Sequence, residues 1–209
     1  MNRLDRDRWD GLWIAAGVRT DLSSWFDHLA RLYAQSHRHY HNARHIVECL
    51  NDFDSARELA RQPLVVELAI WFHDAVYDPH ASDNEERSAD LARQCLAEAG
   101  QGELFQELVA QLVLATKHHD RSSHPDAPLL VDVDLSIFGQ PPERFWLYES
   151  QIRMEYEWVP NLLYRFRRAK ILARFLARKR IYSLEHFFRK YEEQARANLA
   201  ASVKTLRRI

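Results

Sequence analysis

The residues best suited to chemistry lie in one stretch, ELAIWFHDAVYDP over 67–79, where His73 and Asp74 stand side by side in an otherwise apolar run. From Leu64 to Tyr77 only Glu67, His73 and Asp74 are clearly polar. A helix there is apolar nearly all round and is expected to cross the interior of its domain. A carboxylate in that setting costs several kcal/mol unless it is paired, hydrogen-bonded or bound to a cation. An adjacent imidazole and carboxylate suit a borderline-hard divalent metal, at ~2.0–2.1 Å through nitrogen and at similar range through oxygen. Alone, the dipeptide reads more simply as a core histidine beside a capping or ion-paired aspartate, so a metal site needs ligands from elsewhere.

Two further segments offer them. In RHYHNARHI (38–46), His41 and His45 are one helical turn apart on one face. In LLVDVDL (129–135), a second apolar run carries Asp132 and Asp134. In chain order the pattern is His, then His-Asp, then Asp: two imidazoles and two carboxylates on three separate predicted helices. Such a donor set has low net charge and leaves coordination positions for water and substrate. A divalent cation there lowers the pKa of bound water toward ~7 and neutralises phosphate oxygens, which makes phosphoester hydrolysis the natural reaction.

This order, in these contexts, resembles the HD superfamily of metal-dependent phosphohydrolases. Tyr40-His41-Asn42 with His45, Phe72-His73-Asp74-Ala75-Val76-Tyr77-Asp78, Asn84-Glu85-Glu86-Arg87-Ser88-Ala89 and Asp132-Val133-Asp134-Leu135-Ser136 look like a bacterial branch of it. The likeness runs through most of the chain. It implies metal ligands at His45, His73, Asp74 and Asp134. Asp132 is the rival for the last position, and Asp-Leu-Ser is the closer match to the family motif. The resemblance implies a divalent cofactor (Mn²⁺, Co²⁺, Zn²⁺, Fe²⁺ or Mg²⁺), and imidazole with carboxylate does not choose among these. It also implies hydrolysis of a phosphoester or phosphoanhydride in a nucleotide or small phosphorylated metabolite. A metal- and nucleotide-binding module without turnover is the alternative.

Some HD hydrolases of nucleotide pyrophosphates carry a Glu-Asp pair shortly after the His-Asp. Here those positions hold Tyr77 and Asp78. The missing glutamate argues against alarmone pyrophosphohydrolase activity and moves the general acid/base role to Asp78 or Glu86. Asp78 serves equally as a turn residue before Pro79, and Glu86 as an ordinary charge in a helix's first turn. His41, Arg44, Lys117 and His119 are candidate phosphate contacts. His119 resembles the family's threonine-basic-x-histidine segment, which in some members binds a second metal.

The positioning elements read as helical throughout. A chain of 209 residues suits one domain that buries roughly 70% of its unfolded surface. The expected fold is all-α: a single HD-type helical domain over 1–209, with a metal-site core at about 37–139 and additional C-terminal amphipathic helices at about 143–209. Predicted helices include one carrying Trp9, Leu12 and Trp13, and one capped by Thr20 or Asp21 with Leu22, Phe26, Leu29 and Tyr33 as its stripe. A third covers about 42–60, with Ile46, Cys49, Leu50 and Phe53 facing inward. Ser82 and Glu85 have the spacing of a capping box, and Gly100 and Gly139 fall where helices end.

Net charge −1 argues against a protein whose main task is gripping nucleic-acid backbone. A local acid-free stretch from Arg165 to Arg180 carries eight basic residues. It reads as a solvated helix face before it reads as a phosphate site. Cys49 and Cys95 read as small buried hydrophobes in a reduced compartment, with no disulfide needed. The charged N-terminus and the lack of any ~20-residue apolar stretch point to a cytoplasmic protein without a membrane span. Six tryptophans are compatible with a homodimer contact or with the core. No glycine-rich phosphate loop or Gly-x-Ser-x-Gly elbow occurs.

Overall fold

The computed structural model describes residues 3–117 and 124–208. Among these the protein is all-α. Its α-helices are α1 (Arg6–Ala15), α2 (Ser23–Tyr33), α3 (Ala43–Asp54), α4 (Pro63–Phe72), α5 (Asn84–Glu98), α6 (Glu103–Ala115), α7 (Ala127–Asp134), α8 (Pro142–Glu155), α9 (Asn161–Leu176) and α10 (Glu185–Arg207). Short 3₁₀ helices cover Arg57–Leu59 and Leu135–Gly139, and no strand occurs among the described residues. No helix among them is long and apolar enough to cross a membrane. The chain divides into two compact units, Met1–Val131 and Asp132–Ile209.

In the first unit α4 is the axis, as its all-round hydrophobicity requires. Every residue from Val65 to Phe72 is buried, and α3, α5 and α6 pack around the helix. Pro63 starts it at a position where a missing N–H costs nothing. Trp9 of α1 meets Trp71 edge-on at 5.2 Å and Trp13 at 5.3 Å between ring centroids, so these three tryptophans fill core. Glu67, the one carboxylate inside α4, is neutralised by two guanidiniums: Arg8 Nε at 2.7 Å and Arg57 Nη1 at 2.7 Å.

Three expected boundaries differ, each for a physical reason. α4 stops at Phe72, so His73 caps the helix and Asp74 lies beyond it; the amide of Ala75 bonds Phe72 O at 2.9 Å in a tighter turn. α3 ends at Asp54 rather than near residue 60, because Ser55 turns its hydroxyl back to Asp52 O at 2.8 Å and the following 3₁₀ turn presents Arg57 to Glu67. α5 starts at Asn84 with no side-chain cap, so the Ser82–Glu85 box does not form. The Asn84 amide instead binds both the N–H (3.0 Å) and C=O (2.9 Å) of Asp78. Gly100 adopts φ +73° and closes α5, with Gln101 N–H reaching Leu96 O at 2.9 Å.

The second unit is built on α8, α9 and α10. Phe145, Leu172, Phe187, Ala195 and Leu199 are fully buried. The 3₁₀ turn lies against α10, and Gly139 is so close to Tyr191 that no side chain would fit. One of its ion pairs, Arg168 with Glu149, is buried. Arg168 bonds the Tyr148 hydroxyl at 2.7 Å and Glu149, while the second Glu149 oxygen accepts from Ser202 at 2.8 Å. Four successive amides approach α10: those of Ile181 and Tyr182 go to Glu192, and those of Ser183 (2.9 Å) and Leu184 (2.7 Å) to Asp132.

Candidate metal centre

His45 is held by α3, whose start is fixed by Asn42: its side-chain oxygen accepts the Arg44 amide at 2.9 Å. That cap puts His45 on the buried face of α3 beside Ile46 and Cys49. His73 follows α4, and both imidazoles are 2% exposed. Asp74 is brought round to face them by Arg38. This arginine is 5% exposed and donates to the carbonyls of Asp74 (2.6 Å), Ala75 (2.8 Å) and His41 (3.1 Å). Its guanidinium also faces the Tyr33 and Tyr77 rings at 5.3 and 5.7 Å. On the far side of the turn, the Ser88 hydroxyl accepts the Val76 amide at 3.0 Å.

Three donor atoms converge. His45 Nε2 and His73 Nε2 are 3.1 Å apart, and Asp74 Oδ2 lies 3.3 Å from the first and 3.2 Å from the second. The centre of this triangle is about 1.8 Å from each corner. The triangle is small enough that all three atoms could bind one divalent cation, for which zinc–nitrogen bonds are typically ~2.0–2.1 Å. His73 Nδ1 lies 2.9 Å from Ile70 O, a pairing that requires the proton on Nδ1. With the ring neutral its Nε2 lone pair would be available to a cation, and with the ring protonated Nε2 would donate to Asp74. Burial pushes Asp74 up, but the His73 and His41 imidazoles and hydrogen bonds from His45 and His73 carry it well below the usual carboxylate range.

Cys49 is a residue the sequence reading left in the core. It lies one turn after His45, with Sγ 3.6 Å from Nδ1 and 3.8 Å from Nε2 of that ring. A ligand atom from each of His45, Cys49 and His73 lies within 4.8 Å of the other two, a spacing at which the group could hold one metal ion. The i,i+4 spacing from His45 was the available signal.

The other predicted site residues are placed as follows. His41 is half-buried and stacks on Tyr77 at 4.2 Å between centroids. Arg44 pairs with Glu48 at 2.8 Å. Glu86 and Lys117 pair with each other, and Lys117 Nζ also reaches Ser82 O at 2.8 Å. Asp78 is exposed and accepts the His80 amide at 2.9 Å, which together with the His80 side chain holds it below the usual carboxylate range. His119 lies outside the described residues. Asp134, half-buried, ends α7 in the second unit, and Asp132 is fully buried there. Burial pushes Asp132 up to about 6 against the pull of the Leu184 and Ser183 amides. Both Asp132 oxygens thus accept the amides that lead into α10.

No protein-family model, curated protein or solved structure matches the chain.

Proposed function

We propose that the protein is a metal-dependent phosphohydrolase of HD type, acting on a nucleotide or another small phosphorylated metabolite. The observation that carries this reading is the convergence of His45 Nε2, His73 Nε2 and Asp74 Oδ2 within 3.1–3.3 Å of one another. To these three the sequence resemblance adds Asp134. A divalent cation held there supplies a Lewis acid and an activated water at neutral pH. The chain's own residues do the rest: Ile70 O fixes the His73 tautomer, Arg38 aims the Asp74 turn, and His41, half-buried beside Tyr77, is placed to meet substrate phosphate.

A second reading, a module that binds metal and nucleotide without turnover, is favoured by one observation. Both candidate acid/base groups are engaged elsewhere, Asp78 in its turn and Glu86 with Lys117. One experiment separates the two. Metal-supplemented protein is assayed for phosphate release from a panel of nucleotides and generic phosphoesters, alongside His73→Ala and Asp74→Ala. Hydrolysis requires release that both variants lose. Saturable nucleotide binding with no release anywhere supports the second reading.

A further inference from the structure

We propose that the groove between α9 and the end of α10 docks an anionic phospholipid of a bilayer surface, its apolar floor taking an acyl chain and its basic rim the phosphate. The inference is independent of the metal-centre reading and concerns the second unit alone.

Exposure argues first. Of the eleven large hydrophobic side chains that are exposed among the described residues, eight lie between Trp146 and Ile171. The most exposed of these are Leu162 (75%) and Phe166 (69%), one turn apart on α9, with Trp158 (49%) just before the helix. A single exposed leucine is ordinary, whereas such a concentration of apolar and aromatic groups marks an interaction surface. Leu162 and Phe166 border a groove of about 720 Å³ that Ala169, Ala173 and Leu206 also line. Arg165 ties its two sides together, donating to the carbonyls of Thr205 and Leu206, both at 3.0 Å, and so fastening the end of α10 beside α9.

Charge chooses the occupant. Lys170, Arg174 and Arg207 line the same groove, and none of them forms an ion pair among the described residues. Cations on other helices are paired, as Arg44 is with Glu48 and Arg93 with Glu107. The acid-free stretch from Arg165 to Arg180, read from sequence as a solvated face, therefore sets unpaired cations beside exposed apolar groups and calls for a ligand that is both anionic and apolar. A second copy of the chain fits poorly, because a two-fold contact through this face would set the same cations against one another. Size bears on a partner helix. From Leu162 to Ala177 the groove follows α9 for about 22 Å, and a helix of that length occupies roughly 1,700 Å³ with its side chains. The groove holds less than half of that, and its volume of about 720 Å³ is in the ~300–1,000 Å³ range of sites for single small molecules. Aromatic and aliphatic side chains that enter the acyl boundary, flanked by Lys and Arg at the level of anionic headgroups, are the pattern of helices that lie on a membrane surface.

Co-sedimentation with unilamellar vesicles tests this without recourse to activity. Wild-type protein is expected to sediment with vesicles of equal parts phosphatidylcholine and phosphatidylglycerol, to stay in solution with phosphatidylcholine alone, and to be released as salt rises. Phe166→Ser and, separately, Lys170→Gln with Arg174→Gln should each weaken binding at least tenfold. Ile14→Ser, which removes a similarly exposed apolar side chain from α1, should bind as the wild type does. All four side chains are exposed, and circular dichroism of each variant checks that the helices remain. No sedimentation with the anionic vesicles, equal sedimentation with both compositions, or binding that survives both groove changes would overturn the proposal. So would a dimer in analytical ultracentrifugation that Phe166→Ser dissociates, which assigns the face to a second copy, and so would tight binding of an acidic amphipathic peptide with no binding of vesicles, which assigns it to a partner helix.

Discussion

The carboxylates of the two units are satisfied alike except at Asp74 of the first. In the second, Glu149 lies between Arg168 and Ser202, while Glu192 and Asp132 accept the four amides that lead into α10. In the first, Glu67 follows the same pattern with Arg8 and Arg57, but Asp74 faces ring nitrogens, one of which has its proton assigned to the other side of the ring. Asp74 is set apart by facing two imidazoles, which can hold either a proton or a cation between themselves and the carboxylate.

The largest effect should come from breaking a completed network. Arg168→Ala leaves Glu149 buried and unpaired, and is expected to cost about 3–5 kcal/mol in urea unfolding. In metal-free protein Asp74→Asn should cost less than Arg168→Ala, because Asp74 is half-buried and faces imidazoles where Glu149 faces a buried guanidinium. A loss at Asp74 as large as that at Arg168, with metal removed, would erase the distinction between the units.

Next in size is Arg38→Met, which strips the charged donor from three backbone carbonyls. A cost of about 2–3 kcal/mol is expected, and weaker metal binding should accompany it because the Asp74 turn loses its anchor. Unchanged metal affinity would separate the turn from the site.

The neighbouring aspartates sharpen the comparison further. Asp132→Asn should cost about 1–3 kcal/mol by leaving an amide short of its acceptor, with metal content unchanged. Asp134→Asn should do the reverse. Elemental analysis and thermal unfolding of the two variants read both quantities, and a swap of the two outcomes would reassign the ligand.

The smallest effect concerns pH. Burial lowers the His124 pKa, with Asp126 opposing, and its Nδ1 accepts the Asp126 amide at 3.1 Å. A folded-state pKa below that of the unfolded chain means the unfolded state takes up the proton first. Stability from this group is full above about pH 6.5 and declines as pH falls below it. His124→Gln should therefore lose less stability than wild type between pH 7 and 5; equal slopes would show that His124 contributes nothing.

Much of this was legible from pattern. An apolar run around Glu67 and His73 dictated a central helix, and the stripe of Ile46, Cys49, Leu50 and Phe53 turned one face of the preceding helix inward. What escaped the sequence was long-range pairing. Nothing near Arg38 announces that it will hold a turn thirty-six residues later, and Asn84 and Ser88 reveal their role only once they clamp Asp78 and Val76. The capping box failed because Asn84 had a better use. Cys49 was passed over because a buried cysteine is ordinarily a hydrophobe, and only its distance to His45 separates it from Cys95. Asp132 and Asp134 are alike in sequence context and were told apart by the amides of Ser183 and Leu184.

The most direct test is the metal itself. Purified wild-type protein should carry one divalent ion per chain by elemental analysis. After chelation it should regain thermal stability when Zn²⁺ is restored, by about 2.7 kcal/mol at a hundredfold excess over Kd, and His45→Ala and Asp74→Ala should abolish both. A wild type that holds no stoichiometric metal and gains no stability from Zn²⁺, Co²⁺ or Mn²⁺ would contradict the account.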